Sequence, residues 1–362
     1  MAKKILVLAG DGIGPEVTSA AERVLRHVLD AHGLKASFTH ALFGGACYDA
    51  TGAFITEETM QIAHGADAIL LGAEGGPKWD ELPLTGPPES RSALIRLRRE
   101  LHLYANLRPI RPFDELLDRS TLKADVIRGV DFMVLRELCG GIYFGEPRGI
   151  DRAADGQLRG TDTQVYSESE ITRIARAGFE LAKSRRRKLC SVDKANVMES
   201  GVLWRRILSR IGVEEYPEIA VSHLYVDNAA MQIVRNPRQF DVLVTDNLFG
   251  DILSDCAAMI TGSLGMLPSA SLSYVSGGKG QRGLYEPVHG SAPDIAGRGI
   301  ANPLGAILSA GLMLKFTFDR PDLNDRIEKA VSVALKDGVL SADLGGSATT
   351  TEMTESVLAA LG

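Results

Sequence analysis

The chain has 362 residues, enough at roughly 150 residues per domain for about two domains with their own cores, which excludes a disulfide-stapled miniprotein. Forty Lys plus Arg against 46 Asp plus Glu leave a net charge of −6, so no general basic field exists to hold a nucleic acid or an anionic membrane, and the expected partners are small molecules. With 45% hydrophobic and 24% charged residues the composition is that of an ordinary globule rather than a disordered or collagenous chain.

Two lysines before an apolar run imitate a signal peptide, but the run stops at Gly10-Asp11, and residues 4–9 read as a first strand. Residues 15–31 read as a helix with Pro15 in its first turn, and 66–72 as another strand. Residues 130–138, 141–145 and 161–167 are strand-like with Gly and Asp turns between them, which suggests an antiparallel excursion or arm. Helix (168–184), strand (188–193), helix (199–211), strand (219–226), strand (240–245) and helix (248–261) follow, and from Pro303 three helical segments run to Leu361. This alternation predicts an α/β fold with a largely parallel sheet wrapped by helices. The longest weakly polar stretch, 304–314, stops at Lys315, short of the roughly 18 to 20 residues a spanning helix needs. Cys47, Cys139, Cys190 and Cys256 lie far apart without a CxxC pair, so neither a zinc site nor a disulfide framework is indicated, and reduced thiols fit a cytoplasmic protein.

The familiar motifs fail on inspection. GDGIGPE follows the first strand, but its glycines are Gly10, Gly12 and Gly14, and Pro15 stands where a GxGxxG fingerprint needs its third glycine. The segment is either a strand-to-helix turn or a ligand-facing loop. The run at 276–280 resembles a P-loop only in composition, because Gly280 occupies the place of the magnesium-holding Ser or Thr. Of the histidines, His289 in EPVHGSAPDIAG sits among turn residues suited to facing a ligand.

Three constellations carry chemistry. The acidic one comprises Asp227 in YVDNAA with Asp251 and Asp255 in DNLFGDILSD, the last two four apart on a predicted helix and hence on one face. At about 4 Å and an effective dielectric near 20, such a carboxylate pair costs about 4 kcal/mol, so a semi-buried cluster takes a proton or binds a cation. All-oxygen ligands favour Mg²⁺ or Mn²⁺, while solvated acids at a helix start are the plainer reading. The basic constellation is Arg98, Arg108 and Arg136, whose planar forks match carboxylates; Arg136, inside a strand, is costly to bury without an anion, and pairing with Glu100 or Glu137 is the alternative. The third is Tyr143 in GGIYFGEPRG with Lys194 in SVDKANVMES, a weak acid and a base that desolvation can tune, or else structural hydrogen-bonders.

Taken together these segments resemble the β-decarboxylating dehydrogenases of the isocitrate/isopropylmalate family. LAGDGIGPEV, GGPKWD, LRRELHLYANLRP, RELCGGIYFGEPRG, DKANVMESGVLWR, DNLFGDILSDCAAMITGSLGMLPSA and YEPVHGSAPDIAGRGIANP stand in family order up to about Pro303. The resemblance implies a non-Rossmann α/β fold with mostly parallel central sheets, flanking helices and a small antiparallel arm at roughly 135–165. It implies a cofactor-binding domain of residues 1–103 plus 262–362 and a substrate, metal and dimerisation domain of residues 104–261. Arg98, Arg108 and Arg136 would grip the two carboxylates of a substituted malate, and Asp227, Asp251 and Asp255 would bind Mg²⁺ or Mn²⁺, with Asp227 also near the substrate. Tyr143 and Lys194 take the catalytic positions. Lys194 and Asp227 would arrive from the second subunit of a homodimer, so that each active centre is shared.

For the cofactor, the resemblance points to the 76–89 loop, with Gly76, Pro77 and Glu89, and to the segment after His289, namely Gly290, Ser291, Ala292, Pro293, Asp294, Ile295 and Asn302. Asp294-Ile295 looks like the NAD-preferring form, since a carboxylate there accepts from a ribose 2′-OH and repels a 2′-phosphate. Leu94, Ile95 and Val197 resemble the apolar pocket for an isopropyl group, whose burial is worth about 2 kcal/mol, less than a third carboxylate would cost there. Glu89 lies nine residues before Arg98, a longer spacing than the family usually shows, with Arg91 and Ser92 in the interval. The expected reaction is NAD-dependent oxidative decarboxylation of 3-isopropylmalate to 4-methyl-2-oxopentanoate in leucine biosynthesis. The alternatives are homoisocitrate, isocitrate or tartrate as substrate and, remotely, a non-catalytic regulatory subunit.

Overall fold

The computed structural model describes residues 2–82, 86–273 and 281–362, so the 276–280 run lies outside the described residues. A ten-stranded sheet forms the centre. In chain order the strands are β1 (Lys3–Gly10), β2 (Ala36–His40), β3 (Ala68–Ala73), β4 (Ala105–Ile110), β5 (Phe132–Glu137), β6 (Gly149–Arg152), β7 (Leu158–Thr161), β8 (Lys188–Asp193), β9 (Ala220–Tyr225), β10 (Val242–Thr245), β11 (Pro268–Leu272) and β12 (Gly283–Pro287). The large sheet runs β2-β1-β3-β12-β11-β4-β5-β10-β8-β9, and β6 with β7 form a separate antiparallel pair.

The strands β2, β1, β3 and β12 are mutually parallel, as are β5, β10, β8 and β9. Between these blocks, β11 and β4 pair antiparallel with their neighbours and with each other, so the two blocks run in opposite directions. Strands β3 and β5 are buried at every residue, as expected of strands covered on both faces, yet β5 carries Arg136 into that interior. The Leu304–Phe316 helix is buried from Leu304 to Leu314; its sequence is apolar all round because it packs between the Gly14–Ala31 helix, the Pro321–Lys336 helix and the sheet. Among the described residues no helix is long and apolar enough to cross a membrane.

Two expected strands are replaced by other structure. Residues 141–145 begin with a 3-10 turn, Gly141–Tyr143. Backbone donors explain it: the amides of Phe144 and Gly145 return to the Gly141 carbonyl at 3.2 and 3.0 Å, so they are not available to a ladder. Residues 161–167 contribute only Thr161 to β7, and the Val165 carbonyl accepts from the Gly141 amide at 3.0 Å instead. The β6/β7 hairpin leaves Ile150 and Leu158 exposed at 79% and 68%.

The helix expected at 248–261 spans Asn247–Ala258 and tightens into a 3-10 turn, Met259–Thr261. Asp246 caps it by accepting from the Phe249 amide at 2.8 Å, and its other oxygen accepts from Gln164 Nε2 at 2.8 Å. The helix lies against β5 at Gly250, where a Cβ would stand 2.6, 2.8 and 3.2 Å from Cγ, Cβ and Cδ of Arg136.

Two outcomes follow from this packing. Alanine is better than glycine in a helix by about 1 kcal/mol, but overpacking against an immobile side chain costs about 1 to 3 kcal/mol. Gly250→Ala is therefore expected to lower the urea midpoint, and an unchanged or raised midpoint would contradict the close approach. Burial pushes the Asp246 carboxyl up to about 6. Its folded value thus exceeds its unfolded one, and stability falls as pH rises from about 4 to 6, by about 3 kcal/mol in total. Asp246→Asn keeps a good cap and should raise Tm at pH 7, the gain fading toward pH 4 in thermal melts.

Candidate active site

Strands β4 and β5 place three polar side chains on one sheet face. Asn106 lies opposite Arg136 in the antiparallel register, and Arg108, two residues further along β4, shares that side. Both arginines are buried, at 5% and 2% exposure. The Asn247–Ala258 helix closes over them with its acids. Arg136 Nη1 bonds Asp251 Oδ1, and its Nε and Nη2 donate to Asn247 Oδ1 at 3.1 and 2.7 Å. Arg108 donates to Asn106 Oδ1 (2.8 Å), Ser254 Oγ (2.7 Å), Asp255 Oδ1 (3.2 Å) and Asp251 Oδ1 (3.4 Å).

Charge balance here is tight. Burial pushes the Arg108 guanidinium down, to about 10, and the neighbouring Arg136 charge adds to this; burial depresses Arg136 as well, against the pull of Asp251. Burial pushes Asp251 up, but Arg136 and Arg108 outweigh it and hold the carboxyl below its ordinary value. Asp255, less well paired, is raised by burial. Tyr143 donates its hydroxyl to Asp251 Oδ2 at 3.0 Å, and burial followed by the Asp251 charge raises its pKa, so the phenol is kept protonated. Arg98, from the Ala93–Glu100 helix, pairs with Glu286 of β12 at 2.8 Å, and its Nε is buried with no partner among the described residues.

The pairings that would have made these arginines ordinary surface groups do not occur. Glu100 pairs with Arg96 and His64, and Glu137 with Arg173. Arg98, Arg108, Arg136, Tyr143, Asp251 and Asp255 form one group. Lys194 and Asp227 pair with each other elsewhere, at the ends of β8 and β9, with side chains 25% and 62% exposed. Among the described residues of one chain, no set of three His, Cys, Asp or Glu converges closely enough to hold an ion. The two carboxylates on one helix face nevertheless suit a hard divalent cation as part of a larger oxygen set.

The apolar trio is likewise divided. Ile95 lines a cleft of about 370 Å³ with Tyr143, Ser92, Arg91 and Arg148, whereas Leu94 packs toward a core cluster and Val197 is 72% exposed. Around the cofactor candidates, Gly76 and Pro77 open the Pro77–Asp80 turn, and Glu89, in the 3-10 turn Pro88–Ser90, pairs with Arg99. His289 Nδ1 meets the Gly290 carbonyl at 2.8 Å while Nε2 is buried with no partner among the described residues; burial lowers its pKa and keeps the ring neutral, which suits an amide or hydroxyl partner from a bound cofactor. The Ser291 carbonyl accepts from the Ile13 amide at 2.8 Å, an approach that needs glycine at position 12, where a Cβ would stand 1.9 Å from that oxygen. The GDGIG segment is thus a turn packed on this loop. Ala292 takes a φ of +38°, and Pro293 and Asp294 are exposed, with Ile295 half-buried. Asn302 is engaged internally, donating to Asp343 Oδ2 at 2.9 Å and accepting from the Leu304 amide at 3.0 Å.

Sequence reasoning missed Glu286, Asn106 and Asn247, which hold the arginines, and Asp11, which accepts from the amides of Gly45, Ala46 and Gly75 at 2.8 Å each. A glutamate inside the apolar strand GLYEP was the available signal for Glu286.

Comparison with known proteins identifies the family. The family model described as isocitrate/isopropylmalate dehydrogenase matches residues 4–357. A 3-isopropylmalate dehydrogenase of Methylococcus capsulatus is 53% identical over 365 residues, covering 100% of this chain and 99% of that protein. One from Rhodospirillum rubrum is 54% identical over 345 residues, covering 95% and 92%. Among solved structures, an isocitrate dehydrogenase from Methylococcus capsulatus superposes with a TM-score of 0.86 at 32% identity, covering 100% and 99% of the two chains. A β-decarboxylating dehydrogenase from Thermococcus kodakarensis gives 0.77 at 36%, covering 100% and 96%. With a family match along nearly its whole length and relatives at this identity, the chain belongs to the isocitrate/isopropylmalate dehydrogenase family and is a decarboxylating dehydrogenase.

Proposed function

We propose that this chain, as a homodimer, oxidatively decarboxylates 3-isopropylmalate to 4-methyl-2-oxopentanoate with NAD and Mg²⁺ or Mn²⁺, a step of leucine biosynthesis in the cytoplasm. The observation that carries the reading is the pair of guanidiniums buried on one sheet face beside Tyr143 and two carboxylates. The names and 53% identity of the full-length relatives favour isopropylmalate over isocitrate, whose solved relative is 32% identical. Residues 1–103 plus 262–362 would bind the cofactor, through Gly76, Pro77, Glu89 and the segment from His289 to Asn302. Residues 104–261, with the arm, would bind substrate and metal and form the dimer.

Arg98, Arg108 and Arg136 bind and orient the two malate carboxylates, and burial makes each guanidinium's demand for an anion strong. Ile95, backed by Leu94 and completed by Val197 of the partner subunit, excludes water from the isopropyl group. Lys194 takes the hydroxyl proton as the carbinol C–H bond gives up its electron pair. The resulting β-keto acid loses CO₂, whose bonding electrons pass to the carbon left behind, and Tyr143, still protonated because burial and Asp251 raise its pKa, supplies the proton that completes the product. When bound, NAD⁺ would supply the hydride acceptor, and a cation held by Asp251, Asp255 and Asp227 of the partner subunit would supply positive charge for the developing oxyanion.

NADH absorbance tests the substrate. With Mg²⁺, isopropylmalate should be turned over about a hundredfold more efficiently than isocitrate, and chelator should abolish the signal. Faster turnover of isocitrate, or none of either, would refute the reading. The shared centre has its own test. Lys194→Ala and Asp251→Asn should each be inactive, but their co-expressed mixture should regain about a quarter of normal activity, since half the dimers contain one intact centre. A mixture as dead as its parents would place both groups in one chain's site.

A further inference from the structure

We propose that Glu74 is a positioning residue that locks the substrate-facing Ala93–Glu100 helix to the loop leading into Gly76 and Pro77. The inference rests on the reading of Arg98 and Ile95 as substrate-facing, with Leu94 packed behind them. Glu74 stands just past the end of β3, and its carboxylate reaches across 18 residues of chain to the start of that helix. One oxygen accepts from the Ala93 amide at 2.6 Å, and the other from Ser92 Oγ at 2.6 Å; the Leu94 amide lies 3.4 and 3.3 Å from the two. Ser92 is itself the N-cap, accepting from the Ile95 amide at 3.2 Å. Two caps are therefore stacked: the serine serves the Ile95 amide, and the glutamate serves the amides ahead of it together with the serine hydroxyl.

This double cap sits on the turn that presents Leu94 and Ile95, and Arg98 follows one turn later. Immediately after Glu74, the Gly75 amide donates to Asp11 Oδ2 at 2.8 Å, so the loop is pinned on its other side to the end of β1. The loop and the helix consequently cannot shift independently. A carboxylate suits the post because it accepts all these donors without conformational change. Glutamine can imitate it, with its oxygen toward the Ala93 amide and its NH₂ toward Ser92 Oγ. Alanine cannot.

The test measures binding of isopropylmalate with Mg²⁺ by calorimetry without NAD, together with steady-state kinetics, for Glu74→Ala and Glu74→Gln. Glu74→Ala should weaken binding and raise KM about tenfold with kcat within about threefold, and Glu74→Gln should recover most of the loss. A folded Glu74→Ala enzyme with unchanged affinity, or a Glu74→Gln enzyme as impaired as the alanine variant, would overturn the proposal. If Glu74→Ala does not fold, Ser92→Ala decides: a KM raised about threefold or more supports the lock, and an unchanged KM refutes it. Should the unaltered enzyme fail to bind isopropylmalate, the functional reading falls first; binding by the unaltered enzyme with no effect of either substitution removes only the role of Glu74.

Discussion

Two guanidiniums buried side by side on neighbouring strands must be matched by anions, and the site is built to satisfy that demand. Arg108 and Arg136 point from β4 and β5 into an interior that depresses the basicity of both. Even at about 10, Arg108 stays charged near neutrality. Removing one partner of such a buried pair costs about 3 to 5 kcal/mol. The chain meets the cost with Asp251 and Asp255 on a helix laid directly over the strands, and with the amide oxygens of Asn106 and Asn247 on the remaining donors. Groups organised to receive carboxylates from the protein can receive them from a ligand of the same charge.

Much of this was legible in the sequence because it rests on local rules. Strand β8 and the Glu168–Lys183 helix lie where the pattern puts them, the helix opened by a capping box of Ser167 and Glu170. The spacing of Asp251 and Asp255 fixed their common face. The failures have physical causes as well. Residues 141–145 carry extended-looking residues, but the amides of Phe144 and Gly145 close on the Gly141 carbonyl, and the Gly141 amide is held by the distant Val165 carbonyl, which no local pattern contains. The alternative partner of Arg98 two residues away, Glu100, gives way to Glu286, 188 residues away on β12, because the antiparallel pairing of β11 with both β12 and β4 brings these segments together. Glu74 and Asp11 were unreadable for the same reason: a carboxylate that organises loops declares itself only through the amides it meets.

The chain also divides its chemistry in space. Arginines, tyrosine and two aspartates face one way, while half-buried Lys194 and exposed Asp227 form a partly exposed pair near the solvent-facing Val197. A lysine and an aspartate left that exposed gain little stability from pairing, so stability alone does not account for the pair. The Met231 and Val234 side chains on the Val226–Arg235 helix, and Ile252 on the Asn247–Ala258 helix, are exposed at 61%, 45% and 58%, large apolar groups left facing solvent in the single chain.

The hydrogen atom that Gly250 presents to Arg136 restricts how this scaffold can diversify. Every other amino acid brings a Cβ to the same point, 2.6 Å from the arginine, so no single replacement there is sterically silent. The gap between the acid-bearing helix and its strands is thus a ruler that mutation cannot finely adjust, and the spacing of the charges is inherited as a unit. Change that leaves this spacing intact is confined to positions away from the contact between the acid-bearing helix and β5, such as Ile95, which lines the neighbouring cleft.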